Sequence, residues 1–166
     1  MATVNTYFGT EQNLTITNLN SLASSATAGW QSIRIDNTSE LAIDFEIGIK
    51  LTMANTAPAN DKAVYLYIAP CYYDGSTWYQ GDGGTATLPG GAEGTYTIAS
   101  PNDLKLLGVL NYTTQQMVLQ GTFLLSNVFG MSIPQGFQII IVNYTGAAIA
   151  ASANRVAVRP IHQTVA

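Results

Sequence analysis

Apolar and polar residues alternate most clearly in LAIDFEIGIKL, where Leu41, Ile43, Phe45, Ile47, Ile49 and Leu51 are spaced by Ala42, Asp44, Glu46, Gly48 and Lys50. A period of two sends alternate side chains to opposite faces, so this segment predicts a half-buried strand with its six apolar residues inward. At about 3.3 Å per residue it would run roughly 36 Å and cross the whole domain. The preceding WQSIRID alternates as well. Between them, DNTSE carries Asp36, Asn37 and Ser39, whose side chains can bond their own backbone and close a turn. Together the two runs predict an antiparallel hairpin.

The same punctuation recurs downstream. ANTAPAND is a Pro/Asn loop, after which KAVYLYIAPCYY sets Val64, Leu66 and Ile68 against Tyr65 and Tyr67. From Asp74 to Gly94 the chain holds seven glycines, which predicts irregular backbone with positive φ at several points. TYTI, LKLLGVLN, QMVLQGTFLL, FQIIIVN and RVAVRPI follow, each bounded by Asn, Gly, Pro or Ser, for a total of eight to nine strands. In FQIIIVN the residues Ile139 to Val142 are apolar without alternation, so both faces should be covered, within a sandwich or by a neighbouring subunit. SNVFG predicts one helical turn, capped by Ser126 and ended by Gly130. Many short antiparallel strands with Gly/Pro turns predict an all-β fold: one jelly-roll-like two-sheet sandwich spanning residues 1–166. Residues 1–13 are expected as an N-terminal arm and 160–166 as a C-terminal docking tail.

Composition narrows the partners. Charged residues make up 10% of the chain against a typical figure of about 25%, and Thr, Ser, Asn, Gln and Gly supply the polarity. A surface so poor in charge favours burial against other subunits over a merely neutral coat. The net charge of −4 has no Lys/Arg cluster to neutralise successive phosphates, which argues against nucleic acid as a partner. Cys71, the single cysteine, reads as a small buried thiol. The N-terminal stretch lacks the basic and apolar regions of a leader, and no run of some 18 apolar residues occurs. A soluble chain made without Sec export and without a membrane partner is expected.

Catalytic chemistry has few candidates. His162 is the only histidine, and G-x-S-x-G, H-E-x-x-H and C-x-x-C are all absent, so neither an enzyme nor a zinc site is expected. Asp44 and Glu46 share a strand face, as glycosidase carboxylates can, but Lys50 on that face favours a solvated polar surface. Asp74 and Asp82 frame DGSTWYQGD without the ligand spacing of a calcium loop, and no cofactor is expected. The most suggestive cluster is CYYDGSTWYQGDGG, which places Tyr72, Tyr73, Trp78 and Tyr79 on or beside the glycine-rich segment. Such rings suit sugars and protein interfaces alike.

The segments TEQNLTITNLNSLASSATAGWQSIRIDNTSEL, PANDKAVYLYI, DGSTWY, LLGVL and LLSNVFGMSIPQGFQIIIVNYTGAAI, running from about Thr10 to Val158, resemble a family of small tailed-bacteriophage virion proteins. These motifs are turn and strand signatures. The resemblance implies a non-enzymatic capsid decoration or cement protein, made in the host cytoplasm, that binds the major capsid protein on the virion surface as a homotrimer. On that reading Trp30, Tyr72, Tyr73, Trp78 and Tyr79 are candidate interface residues. Arg34, Arg155 and Arg159 would anchor acidic patches, and His162 would sit in the docking tail. The alternative is a carbohydrate-binding jelly roll, of head-fibre or lectin type, that uses the aromatic loop to hold a glycan.

Overall fold

The computed structural model describes residues 3–80, 91–97 and 104–165. In chain order the elements are β1 (Val4–Phe8), β2 (Gln12–Asn13), β3 (Ala28–Gln31), β4 (Ile35–Asp36), β5 (Asp44–Thr52) and β6 (Ala63–Tyr73). They continue with β7 (Trp78–Gln80), β8 (Gly94–Thr97), β9 (Lys105–Asn111), β10 (Val118–Leu124), α1 (Ser126–Phe129), β11 (Gly136–Tyr144) and β12 (Arg155–Val165).

All named pairings are antiparallel and fall into two sheets. In the first, β1 and β2 lie end to end along one side of β12, β5 lies on its other side, and β10 follows. In the second, β6 and β11 are central; β7 and β9 share the far side of β6, β3 and β4 share the far side of β11, and β8 lies beyond β3. Counting β1 with β2 and β3 with β4 as broken strands, and setting aside the short β7 and β8, leaves two four-stranded sheets in jelly-roll order. The all-β two-sheet sandwich expected from the alternation is the fold observed.

The core follows from the period of two. Phe45, Ile47, Ile49 and Leu51 of β5 face Val64, Leu66 and Ile68 of β6 and Phe137, Ile139 and Ile141 of β11, with Val156 and Val158 beside them. Phe45 and Phe137 meet edge to face at 5.1 Å. Each such side chain contributes about 1.5–3 kcal/mol by leaving water. The second face of β11 is covered too: Ile140 and Val142 pack with Ala69 and Tyr96, flanked by Tyr65, Tyr67 and Leu104. The chain therefore covers that face itself, with β8, and no neighbouring subunit is needed there.

Three local expectations are corrected. The predicted hairpin is a crossover: β3 and β4 pair with β11 in one sheet, and β5 belongs to the other. Buried Asn37 makes the turn, donating from Nδ2 to the Ala42 carbonyl (3.1 Å) and accepting at Oδ1 from the Ala42 N–H (2.8 Å). Second, the long strand starts at Asp44, so Leu41 and Ile43 miss the core and stand 76% and 43% exposed. Third, Ser126 does not cap its helical turn, since Leu125 occupies the cap without a side-chain bond; Gly130 does end the turn, with φ 63°.

The expected arm and tail are strands. Residues 4–8 pair with 161–165, forming a two-stranded ribbon. The β5 partner of β12 ends at the Asp44–Ile161 pair, so this ribbon runs past the body of the sheet.

Candidate interaction surface at one end of the sandwich

The start of β5, the start of β11 and the ends of β6, β10 and β12 lie at one end of the sandwich. The 37–43 crossover, the 125–135 segment, the β6–β7 hairpin and the ribbon gather there. Ten of the thirteen large apolar side chains exposed among the described residues belong to these pieces. Val4, Tyr7, Phe8 and Val165 are on the ribbon, Leu41 and Ile43 on the crossover, and Met131 after α1. Leu124 ends β10, and Tyr72 and Tyr79 stand on the hairpin. A cleft of about 570 Å³ opens between the crossover and the α1–β11 segment, lined by Ala42, Ile43, Met131, Ile133 and Gln163, with Asp44 and Ser126 in its wall.

Asp44 is structural. Its Oδ1 accepts the Phe45 N–H (2.8 Å) and the Ser126 N–H (2.9 Å), and its Oδ2 accepts the Ser126 hydroxyl, which ties α1 to the start of β5. A buried carboxylate so fully bonded is an anchor. Its neighbour Glu46 is held by Arg159 across the strand pair. The solvated polar face expected for Asp44 and Glu46 is thus a bonded one, and the two carboxylates are engaged separately.

The aromatic cluster divides between the two faces of the β6–β7 hairpin. On one face Tyr73 packs against Trp78 with tilted rings whose centres are 4.9 Å apart, and the Arg34 guanidinium lies 4.4 Å from the Trp78 ring centre. Gly136 makes room for that indole, because a Cβ there would stand 2.6 Å from the Trp78 ring. On the other face Tyr72 and Tyr79 form an exposed pair with ring centres 6.4 Å apart. The turn between the strands is held by Asp74, which accepts the Ser76 and Thr77 N–H groups at 2.8 and 2.7 Å. The Thr77 N–H and then the Ser76 N–H keep the Asp74 carboxyl below its ordinary range.

Trp30 leaves the interface set: it is fully buried, and its Nε1 donates to Glu93 at 2.6 Å beneath the sheet. The arginines expected to reach a partner are engaged within the chain. Arg155 pairs with Glu11 and bonds Asn13, while Arg159 pairs with Glu46 and lies 4.8 Å from the Phe8 ring centre. The Glu46 bond raises the Arg159 pKa further. His162 stacks on Tyr7 at 5.2 Å, with its Nε2 3.8 Å from Glu40. Sequence reading missed Val4, Tyr7, Phe8, Leu41 and Met131; the available signal was apolar residues among turn and terminal residues, where no core demands them.

Among the described residues no group of three or more His, Cys, Asp or Glu side chains is placed to hold a metal. Cys71 is buried. Asp82 and most of the glycine-rich segment, residues 81–90, lie outside the described residues. No helix among the described residues is long and apolar enough to cross a membrane. No family model, curated protein or solved structure matches the chain. The virion resemblance therefore rests on the sequence segments quoted above.

Proposed function

We propose that this chain is a non-enzymatic virion structural protein, a decoration or cement protein that docks on the major capsid lattice by the apolar end of its sandwich. The observation that carries this reading is the gathering of ten exposed apolar side chains at that one end. Aromatic residues and Met are enriched in interface cores and Lys and Glu depleted, and the end presents Tyr7, Phe8, Tyr72, Tyr79 and Met131. Covering such a surface yields about 25 cal/mol per Å² of apolar area, and many copies on one lattice add their weak contacts. The work is contact, and the bonded state of Asp44, Glu46 and Arg159 fits a surface with no reactive group to spare.

The test is direct. Purified protein is titrated onto emptied tailed-phage heads that lack it, and bound copies are counted. Saturation at a fixed ratio of copies to capsid protein is expected; failure to sediment with heads at any concentration overturns the reading.

A glycan-binding reading has one observation of its own, the exposed Tyr72–Tyr79 pair. Two neighbouring ring faces can stack a sugar. Binding to a glycan array that disappears in Tyr72→Ala and Tyr79→Ala would favour it. Trp78→Ala is the poorer probe, since that ring is wedged between Tyr73 and Arg34.

A further inference from the structure

The ribbon's outer strand carries a pattern that fits a copy of itself. Gly9 donates its N–H to the Pro160 carbonyl at 2.8 Å, which makes Gly9 and Pro160 a hydrogen-bonded pair of the antiparallel ladder. Bonded and non-bonded pairs alternate, so in the β1 register Tyr7 and Asn5 also point their backbone groups toward β12. Val4, Thr6 and Phe8 then point their N–H and C=O groups away from the sheet, to where no strand among the described residues is paired. A strand edge of this kind is normally blunted by a Lys, a Pro or a bulge. VNTYF contains no charge and no proline, and its register with β12 runs unbroken.

We propose that β1 pairs with β1 of a second copy of this chain, antiparallel about a twofold axis through Thr6. Only that register aligns all three outward residues: Thr6 lies opposite Thr6 of the second copy, and Val4 opposite Phe8 in both directions. Three bonded pairs form, with up to about six main-chain hydrogen bonds. The side chains agree with the backbone. Val4, Thr6 and Phe8 share one face, where their in-chain partners are Val165, Gln163 and Ile161. Across the axis this gives apolar rows, Val165 and Val4 meeting Phe8 and Ile161 of the second copy, on either side of a polar row of Gln163 and Thr6. Aromatic with β-branched and Thr with Thr are both favourable cross-strand pairs. Val4, Phe8 and Val165, now 57%, 55% and 72% exposed, would be covered together.

A ribbon of two strands is only marginally stable by itself, and the pairing would place β1 between β12 and a second β1. The two five-stranded sheets would join edge to edge into one. Isologous contact closes at two copies, in contrast to the threefold assembly that the virion resemblance implies. The inference stands on the strand's own pattern and does not depend on the capsid reading.

Light scattering across a concentration series, with cysteine crosslinking, tests it. Wild-type protein should move toward twice its 17.7 kDa chain mass as concentration rises. Thr6→Pro should hold at the single-chain mass with an unchanged melting temperature, because the lost N–H faces away from β12. Residues in a bonded pair have Cα atoms about 5.5 Å apart, within disulfide range, so Thr6→Cys should convert fully to a two-chain product under mild oxidation. Ser152→Cys, at the opposite end, should give only traces; Cys71 is buried and stays silent. A single-chain or three-chain mass throughout, or equal crosslinking of the two variants, overturns the proposal. A single chain that still saturates phage heads would sink the pairing alone, and a pair that ignores heads would sink the capsid reading alone.

Discussion

The two ends of this sandwich are built from similar loop-rich sequence and finished in opposite ways. At the end where β11 turns into β12, polar side chains tie the loops. Asn143, fully buried, donates to the Leu22 and Ala147 carbonyls at 3.1 and 2.7 Å and accepts the Thr145 hydroxyl at 2.7 Å. Asn154 donates to Asn20 and the Ala150 carbonyl and accepts the Thr52 N–H at 2.8 Å. Tyr112 closes the set, its hydroxyl donating to the Thr56 carbonyl at 2.6 Å. At the other end the crossover, the α1–β11 segment and the ribbon leave Leu41, Ile43, Met131, Val4 and Phe8 outside. One end is tied by polar bonds within the chain; at the other, apolar side chains stand exposed among the described residues, the kind of patch that marks an interaction surface.

The largest effect expected from breaking this contrast is at the stitched end. Asn143→Ala leaves buried carbonyls short of donors, and a loss of about 2–4 kcal/mol follows, lowering the melting temperature by roughly 5–15 °C. Thermal unfolding measures it; a shift within about 1 °C would mean the network adds nothing. At the apolar end the same assay should stay flat. Met131→Lys combined with Ile43→Lys should change stability by no more than about 0.5 kcal/mol. Attachment to phage heads should weaken roughly tenfold or more, the result of losing about 1–2 kcal/mol of buried contact. Unaltered attachment would remove those residues from the contact.

The smallest effect is a titration. Because its folded pKa is depressed, Asp74 stabilises the β6–β7 turn at pH values above the ordinary carboxylate range, and this contribution is lost as pH falls through the folded value. The Ser76 and Thr77 amide resonances should titrate together, with a midpoint below the usual aspartate value. A midpoint at or above that value would show that their N–H groups do not hold the carboxylate.

Much of the fold was legible because alternation speaks directly about faces. Val64, Leu66 and Ile68, and the unbroken apolar run of Ile139 to Val142, predicted their burial correctly. Alternation says nothing about which sheet a strand joins. The Asn37 turn was visible in DNTSE, yet the same turn chemistry serves a hairpin or a crossover, and here β4 and β5 part to different sheets. The site was less legible than the fold. Trp30 looked like an interface ring until Glu93, distant in sequence, proved to hold its indole N–H, while Arg155 and Arg159 found the carboxylates of Glu11 and Glu46 and Arg34 found the Trp78 ring. Surface apolar residues such as Met131 carry no periodic signal, because no core position among the described residues calls for them. Exposure of that kind is visible only once the strands are in place.

Amide hydrogen exchange of the protein, free and bound to emptied phage heads that lack it, tests the central claim most directly. Slowed exchange in residues 37–43 and 125–135, with the stitched loop at 145–154 unchanged, is the expected footprint. Protection confined to 145–154 and the neighbouring loops of that end, or no protection anywhere, would contradict the assignment of the apolar end as the working surface.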